Sequence, residues 1–353
     1  MLHILKKEAV NGGSYILDKV TEVLEDSYGL KINQVIKQKN VYKIFSEEGC
    51  YCFKVIKYKH SHFKFIISAM EHLFNRGFED IIPFIKTKKG ESYVALGEGN
   101  GYLSPWVKAR ESNYDNPYDL KDACRLLAKL HNYSEGFMIK DEMTPRIGWF
   151  SWIETFETRK NEILDFRKRI GQKAKKSDFD KLYLEIMDVE LKIAESSIGN
   201  LKRSGYREIM MKDVFKGGFC HHDFAYHNIL IAEDGKHKVI DFDYCILDSY
   251  LHDLSSLLIR AMKNGRWDIA KSDFILNSYR EVKSIRQEQI PVMAAFMEFP
   301  QDYWQLGIQY YWEQQSYGED FFISRLRKIK EDIEDKQEFI EAFMVYKLYG
   351  GQG

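Results

Sequence analysis

The spacing of apolar residues changes several times along the first hundred positions. From Ser14 to Ser27, Ile16, Leu17, Val20, Val23 and Leu24 recur at helical intervals, which predicts an amphipathic helix. Lys31 to Ile36, Tyr42 to Ser46 and Cys50 to Ile56 are short runs separated by polar breaks such as Glu47-Glu48-Gly49, which predicts strands. Helical spacing returns from His60 to Phe74, with Phe63, Ile67, Met70 and Phe74 on one stripe that stops at Arg76-Gly77. Ile81 to Lys86 and Ser92 to Leu96 then read as two more strands around the turn at Lys89-Gly90. This order suits a small, mainly antiparallel sheet with a packed helix.

Tyr102-Leu103-Ser104-Pro105-Trp106-Val107 is an apolar extended run broken by proline. It is either a strand that ends at Pro105 or a hinge whose backbone groups stay free. Beyond it the pattern turns helical. Asp119 to Asn132 carries Leu120, Ala123, Leu126, Leu127 and Leu130, and Trp152 to Arg169 and Phe179 to Leu201 read as long charged helices. Ile229 to Ala232 and His237 to Ile240 form an apolar hairpin with Asp234-Gly235 at its turn. From Leu251 onward the chain is helical again. The fold class expected is α+β.

Composition narrows the function classes. The 353 residues allow two separate cores. Lys and Arg total 52 against 53 Asp and Glu, so no global field draws the chain to nucleic acid or a membrane surface. Apolar residues at 44% and aromatics at 14% argue for packed cores rather than disorder. No apolar run approaches the ~20 residues needed to span a bilayer, and the charged opening from Met1 to Glu8 does not read as a secretory signal. Five cysteines without paired C-x-x-C spacing suggest reduced thiols in a cytosol-like compartment, with one of Cys50 and Cys52 expected to point inward from its strand.

The candidate chemistry lies in Cys220-His221-His222-Asp223-Phe224-Ala225-Tyr226-His227-Asn228 and in Val239-Ile240-Asp241-Phe242-Asp243. Asn228 opens the first strand of the hairpin and Asp241 closes the second, so both fall at its open end, with Asp223 on the loop just before. An amide oxygen and carboxylates in that arrangement suit a hard cation held beside a nucleotide, because Mg²⁺ takes few protein oxygens and borrows the rest from phosphates and water.

The spacing resembles the H-x-D-x-x-x-x-N loop and following metal aspartate of kinase-type phosphotransferases. More narrowly it is similar to the aminoglycoside phosphotransferase and choline kinase superfamily, whose loop usually reads H-G-D-x-x-x-x-N. The wording through Ile240-Asp241-Phe242-Asp243-Tyr244-Cys245 and Leu251-His252-Asp253-Leu254 resembles the CotS-type spore coat proteins of endospore-forming bacteria. The resemblance implies a protein kinase-like two-lobed fold, with an antiparallel-sheet N-lobe over residues 1–103 and a larger, mainly helical C-lobe over 104–353. It implies ATP and Mg²⁺ as cofactors, a hydroxyl-bearing small-molecule acceptor, and synthesis in the cytoplasm followed by incorporation into the spore coat, with other coat proteins as candidate partners.

Residue by residue, the resemblance makes Asp223 the group that accepts or orients the acceptor hydroxyl proton, and Asn228 and Asp241 the metal ligands. Asp243 is a candidate second carboxylate at the metal. His221 is expected to brace the loop, and Asp253 to support it. Lys54 falls where the phosphate-contacting lysine falls, with Glu71 its expected ion-pair partner. Leu103 and Trp106 lie at the candidate adenine-binding hinge.

Two departures stand out: Gln38-Lys39-Asn40-Val41-Tyr42 lacks glycine where a phosphate-covering loop would fall, and His222 replaces the usual glycine of H-G-D. Absence of G-x-x-x-x-G-K-[ST] excludes a P-loop enzyme. A histidine–aspartate metal hydrolase built from His221, His222, Asp223, His227, His252 and Asp253 is one rival, and a catalytically silent kinase-like coat component is another. For the acceptor, Phe299, Tyr303, Trp304, Tyr310, Tyr311 and Trp312 read as core before they read as a stacking surface. Glu298, Asp302, Glu313 and Asp320 would suit an amine.

Overall fold

The computed structural model describes residues 17–97 and 99–348; the start of the first helix at Ser14 and the charged opening stretch lie outside them. The chain divides into two compact units. One holds the residues up to Ser112 with Phe137–Arg146 and His227–Cys245, and the other holds Asn113–Gly136, Ile147–Tyr226 and Ile246 onward. The first unit thus continues past residue 103 and takes back two later segments, one of them the hairpin.

In the first unit, helix α1 spans residues 17–28. Strands β1 (Ile32–Gln38), β2 (Val41–Ser46) and β3 (Gly49–Ile56), helix α2 (His60–Asn75), and strands β4 (Val94–Leu96) and β5 (Gly99–Pro105) follow. The sheet order is β1-β2-β3-β5-β4, and every neighbouring pair is antiparallel. Register decides what each face does. Tyr42 lies opposite Phe53, and Phe53 opposite Leu103. With Ile44 and Val94 they bury Val20 and Leu24 of α1. Side chains alternate along a strand, so the other face carries Lys54 opposite Tyr102 and Cys52 opposite Ser104.

Cys50 and Cys52 are two residues apart, share that face, and are both half-buried; Cys52 is the more desolvated, and burial pushes its thiol pKa up to about 11. Gly101 has no room for a side chain, since a Cβ there would fall 2.4 Å from Phe53 Cζ.

The run Ile81 to Lys86 does not form the strand expected of it. It makes single bridges, Ile81 to Val239 and Ile85 to Leu103, because Pro83 has no N–H to offer a ladder. A second sheet, β6 (Ala109–Glu111), β7 (Ile229–Ala232) and β8 (His237–Val239), explains why the hairpin belongs to this unit: β6 pairs with β7. Gly235 adopts φ 79° at the hairpin turn, and Ala232 N–H donates to the Lys236 carbonyl at 2.9 Å.

The second unit is helical: α3 (Pro117–Ser134), α4 (Trp152–Gln172), α5 (Asp178–Arg203), α6 (Tyr206–Lys216), α7 (Leu251–Met262), α8 (Ile269–Arg280), α9 (Ile290–Glu298), α10 (Gln301–Gly307) and α11 (Glu319–Met344). Asn116 caps α3 by accepting the Tyr118 N–H with proline at the first turn, and Ser177 and Asp180 close a capping box on α5. Its core joins Ile163 and Phe166 of α4, Phe179 and Tyr183 of α5, Tyr303 of α10 and Phe322 of α11. Gly307 lets α10 approach closely, because a Cβ there would lie 2.4 Å from the Tyr183 hydroxyl and 2.6 Å from the Phe166 ring.

The aromatic section is largely core, as its spacing suggested: Phe299, Tyr303 and Tyr311 are buried. Of the acidic residues nearby, Glu298 is buried and accepts from Asn200, and Asp302 pairs with Lys263.

Candidate active site

In the first unit the open end of the hairpin is built by its own ladder. Beyond the Ile229–Val239 pair, Ile240 N–H donates to the Asn228 carbonyl at 3.0 Å, so Asn228 and Asp241 end adjacent strands at the same level. Asp241 then takes a left-handed conformation, φ 67° and ψ 60°, and the chain enters a short 3-10 turn over Phe242–Tyr244. Left-handed backbone is costly for most side chains and tolerated best by Asn, Asp and Gly. The reversal places Asp241 and Asp243 around one cation. Lys54 Nζ lies 2.7 Å from Asp241 Oδ1 and 2.7 Å from Asp243 Oδ1.

Only 6% of the Lys54 side chain is exposed. Burial works against its charge, and the carboxylates Asp243 and Asp241 outweigh that effect, holding its pKa above the ordinary lysine value. Tyr102 is itself fully buried, and desolvation keeps its hydroxyl protonated.

Glu71 does not pair with Lys54. Its carboxylate accepts from Lys86 at 3.1 Å and from the Ser92 hydroxyl. The expected pair fails because Ser92 and Lys86, on the segment before β4, engage Glu71, while Asp241 and Asp243 engage the lysine. At the candidate hinge, Leu103 is buried in the sheet core and its carbonyl accepts from Ile85 at 2.8 Å. Trp106 N–H donates to the Cys50 carbonyl at 3.0 Å, and the Trp106 ring lies under the Lys43 ammonium at 4.3 Å. The Leu103 carbonyl and the Trp106 N–H thus have protein partners, where a hinge was expected to leave backbone groups free.

In the second unit, Asp253 organises the loop that carries Asp223. Its carboxylate accepts the N–H groups of His221 at 2.7 Å and His222 at 2.8 Å. His131 Nε2 approaches the same carboxylate at 3.3 Å, and Nδ1 of that ring meets the Tyr279 hydroxyl at 2.7 Å. Burial would raise the Asp253 carboxyl, but the hydrogen bond from His131 and the nearby His252 ring hold it well below the usual carboxylate range. His221 is fully buried and its Nδ1 accepts the Asp223 N–H at 3.3 Å, a contact within the loop it was expected to brace. Asp223 Oδ1 accepts from Arg260 Nη2 on α7 at 2.6 Å. Arg260 was missed in the sequence because it stands alone, 37 residues beyond Asp223, with no motif around it.

Whether these residues fit a divalent ion follows from donor chemistry. Asn228 is buried at the hairpin end and offers an amide oxygen, and Asp241 offers a carboxylate; an all-oxygen set of this size suits Mg²⁺. Among the described residues, one His, Cys and carboxylate group has ligand atoms close together, His131, Cys220 and Asp253. Its atoms are already engaged, with the Cys220 thiol donating to the Ser249 carbonyl at 3.1 Å. The histidines expected of a hydrolase do other work: the His222 and His252 rings stack at 4.5 Å.

A family model described as "Spore coat putative kinase YutH" matches residues 21–343. The chain belongs to that family. Spore coat protein S of Bacillus subtilis (strain 168) is 23% identical over 318 residues, covering 90% of this chain and 89% of that protein. Among solved structures, an aminoglycoside phosphotransferase from Alicyclobacillus acidocaldarius superposes with a TM-score of 0.77 at 20% identity, covering 90% of this chain and 93% of the other. The spectinomycin phosphotransferase APH(9)-Ia, solved with ADP and spectinomycin, gives a TM-score of 0.67 at 16% identity, covering 92% and 98%. The fold of this YutH-family chain is therefore that of the aminoglycoside phosphotransferases, with an antiparallel-sheet unit and a helical one.

Both departures noticed in the sequence of this YutH-family member have structural form. Lys39 and Asn40 make a two-residue turn between β1 and β2, with Lys39 at φ 53° in the role a glycine often plays. His222 sits at φ 67°, so the residue replacing glycine keeps a glycine-like backbone, which the two hydrogen bonds to Asp253 enforce on this stretch. No helix among the described residues is long and apolar enough to cross a membrane.

Proposed function

We propose that this chain is an ATP- and Mg²⁺-dependent phosphotransferase acting on a hydroxyl of a small molecule and made for the spore coat. The observation that carries it is the buried Lys54 held against Asp241 at the end of the hairpin that Asn228 opens. Asn228 and Asp241 would hold the magnesium ion, which when bound neutralises charge on the nucleotide phosphates. Lys54 would contact the phosphates. Asp223, five residues before Asn228 in the chain, would orient the acceptor hydroxyl and take its proton. Arg260 keeps the Asp223 carboxylate in place, and Asp253 keeps the loop in shape through two backbone amides. Similarity to proteins named for aminoglycoside and spectinomycin transfer supports a small-molecule acceptor, and the match to spore coat protein S supports the coat assignment.

The test is a calorimetric titration of ATP with and without Mg²⁺, followed by a transfer screen over amino alcohols, amino sugars and coat-protein peptides. Metal-dependent ATP binding with transfer to one of these is the expected result; absence of nucleotide binding removes the proposal. A second reading, a nucleotide-binding coat component without transfer activity, is favoured by the glycine-free Lys39-Asn40 turn and by His222 in place of the usual glycine. ATP binding with no transfer in that screen would select it.

A further inference from the structure

We infer that Asp243, and not Glu71 of helix α2, is the residue that positions Lys54 for the nucleotide, so that the two acidic residues of the Asp241-Phe242-Asp243 turn divide their work. The inference rests on the nucleotide-binding role proposed above.

Lys54 is buried on the sheet face opposite α1, and an ammonium in that setting requires a carboxylate at hydrogen-bond distance. Two are present, each at 2.7 Å. They are not equivalent. Asp241 is 28% exposed and follows directly on the strand that pairs with Asn228, where an incoming divalent ion would draw its carboxylate. Asp243 is 15% exposed and lies in the short 3-10 turn, two residues further from the strand end. When Asp241 turns to a metal, Asp243 is what remains to hold the ammonium.

Glu71 cannot take that part while its carboxylate is shared between Lys86 and Ser92, and its side chain is 36% exposed. The metal set reduces to Asn228 and Asp241, in keeping with the one or two carboxylates from which Mg²⁺ is usually held. Asp243, offered by the sequence as a further metal ligand, becomes a positioning residue.

The experiment compares the full chain with Asp243→Asn and Glu71→Gln. Each is titrated with ATP in Mg²⁺ and again in EDTA, and each is exposed without nucleotide to an amine-acylating reagent, with Lys54 modification read by mass spectrometry. Asp243→Asn is expected to weaken ATP binding by about tenfold or more in Mg²⁺, with a smaller loss in EDTA, where Asp241 still holds the ammonium, and to raise Lys54 acylation severalfold. Glu71→Gln is expected to stay within about twofold of the parent in all three measurements, as befits a half-exposed pair.

An Mg²⁺-dependent loss from Asp243→Leu that persists when Lys54 is already methionine would make Asp243 a metal ligand and overturn the inference alone. So would a loss in Glu71→Gln that Asp243→Asn does not show. Failure of the parent chain to bind ATP would instead remove the phosphotransferase proposal and this inference with it. If Asp243→Asn does not fold, the double variant Lys54→Met with Asp243→Leu removes both charges together. It should bind ATP no more weakly than Lys54→Met, and a further loss would overturn the assignment.

Discussion

Arg260 donates to Asp223 across 2.6 Å, linking the last turn of α7 to the loop that bears the proposed acceptor-side carboxylate. Both side chains are about a third exposed, so the pair adds under about 1 kcal/mol to stability. Its expected role is orientation. Arg260→Met should lower transfer by about ten- to a hundredfold while ATP affinity stays within about twofold, and Arg260→Lys should recover part of the loss. Steady-state kinetics beside calorimetry checks this; parallel loss of ATP affinity would place Arg260 elsewhere in the mechanism.

His222 combines an unfavourable backbone with a favourable ring contact. Its left-handed φ costs about 1 kcal/mol for a non-glycine residue, and stacking on His252 offsets it. His222→Ala keeps the backbone cost and loses the stack, whereas His222→Gly loses both. The glycine variant should therefore be the more stable of the two by about 1 kcal/mol, measured by urea unfolding. An alanine variant as stable as the glycine one would show that the backbone conformation carries no strain.

Asp248 gives a pH dependence with a definite sign. Burial pushes its carboxyl from the ordinary 3.8 up to about 6, although His252 and the Trp152 indole N–H, which donates at 2.8 Å, act in the other direction. The folded state therefore binds the proton more tightly than the unfolded state. The resulting stabilisation is complete below about pH 4 and is lost as pH rises through about 6, a change on the order of 2–3 kcal/mol. Asp248→Asn should flatten this part of the stability profile between pH 4 and 7. An unchanged slope would mean that the carboxylate is stabilised by other means.

Gly307 predicts a packing failure. Alanine would bring its methyl group within 2.4 Å of the Tyr183 hydroxyl and 2.6 Å of Phe166, in a core whose rings already touch. A loss of about 1–3 kcal/mol is expected, seen as a lower midpoint in urea with an unchanged slope. Gly171, with open space where its Cβ would point, is the comparison: Gly171→Ala, at an exposed position near the end of α4, should be neutral or slightly stabilising.

The parts legible in the sequence were those governed by local spacing. Apolar alternation gave β1, β2 and β3 to within two residues, and the return to helix at Leu251 is where α7 begins. Asn228 and Asp241 at one end of the hairpin followed from strand parity and turn position. Lys54 was found as a lone cation in a strand, but its partner was not, because the choice among Glu71, Asp241 and Asp243 depends on a left-handed turn at Asp241 that no periodicity encodes. Arg260 and Asp248 were missed for the same reason: each acts through a contact made only once distant helices and loops have packed. Strand β6 is three exposed residues long, too short and too polar to signal itself, although it ties the hairpin to the sheet unit.

The bare backbone at Gly101 leaves room for the Phe53 ring, whose Cζ would lie 2.4 Å from any Cβ placed there. Gly101 stands opposite Val55 and so shares the face of β3 and β5 that packs under α1, while Lys54 and Tyr102 point the other way. A larger residue at 101 would therefore press first on the ring beneath α1. Strand parity thus separates a crowded apolar side from the side that carries the buried charge.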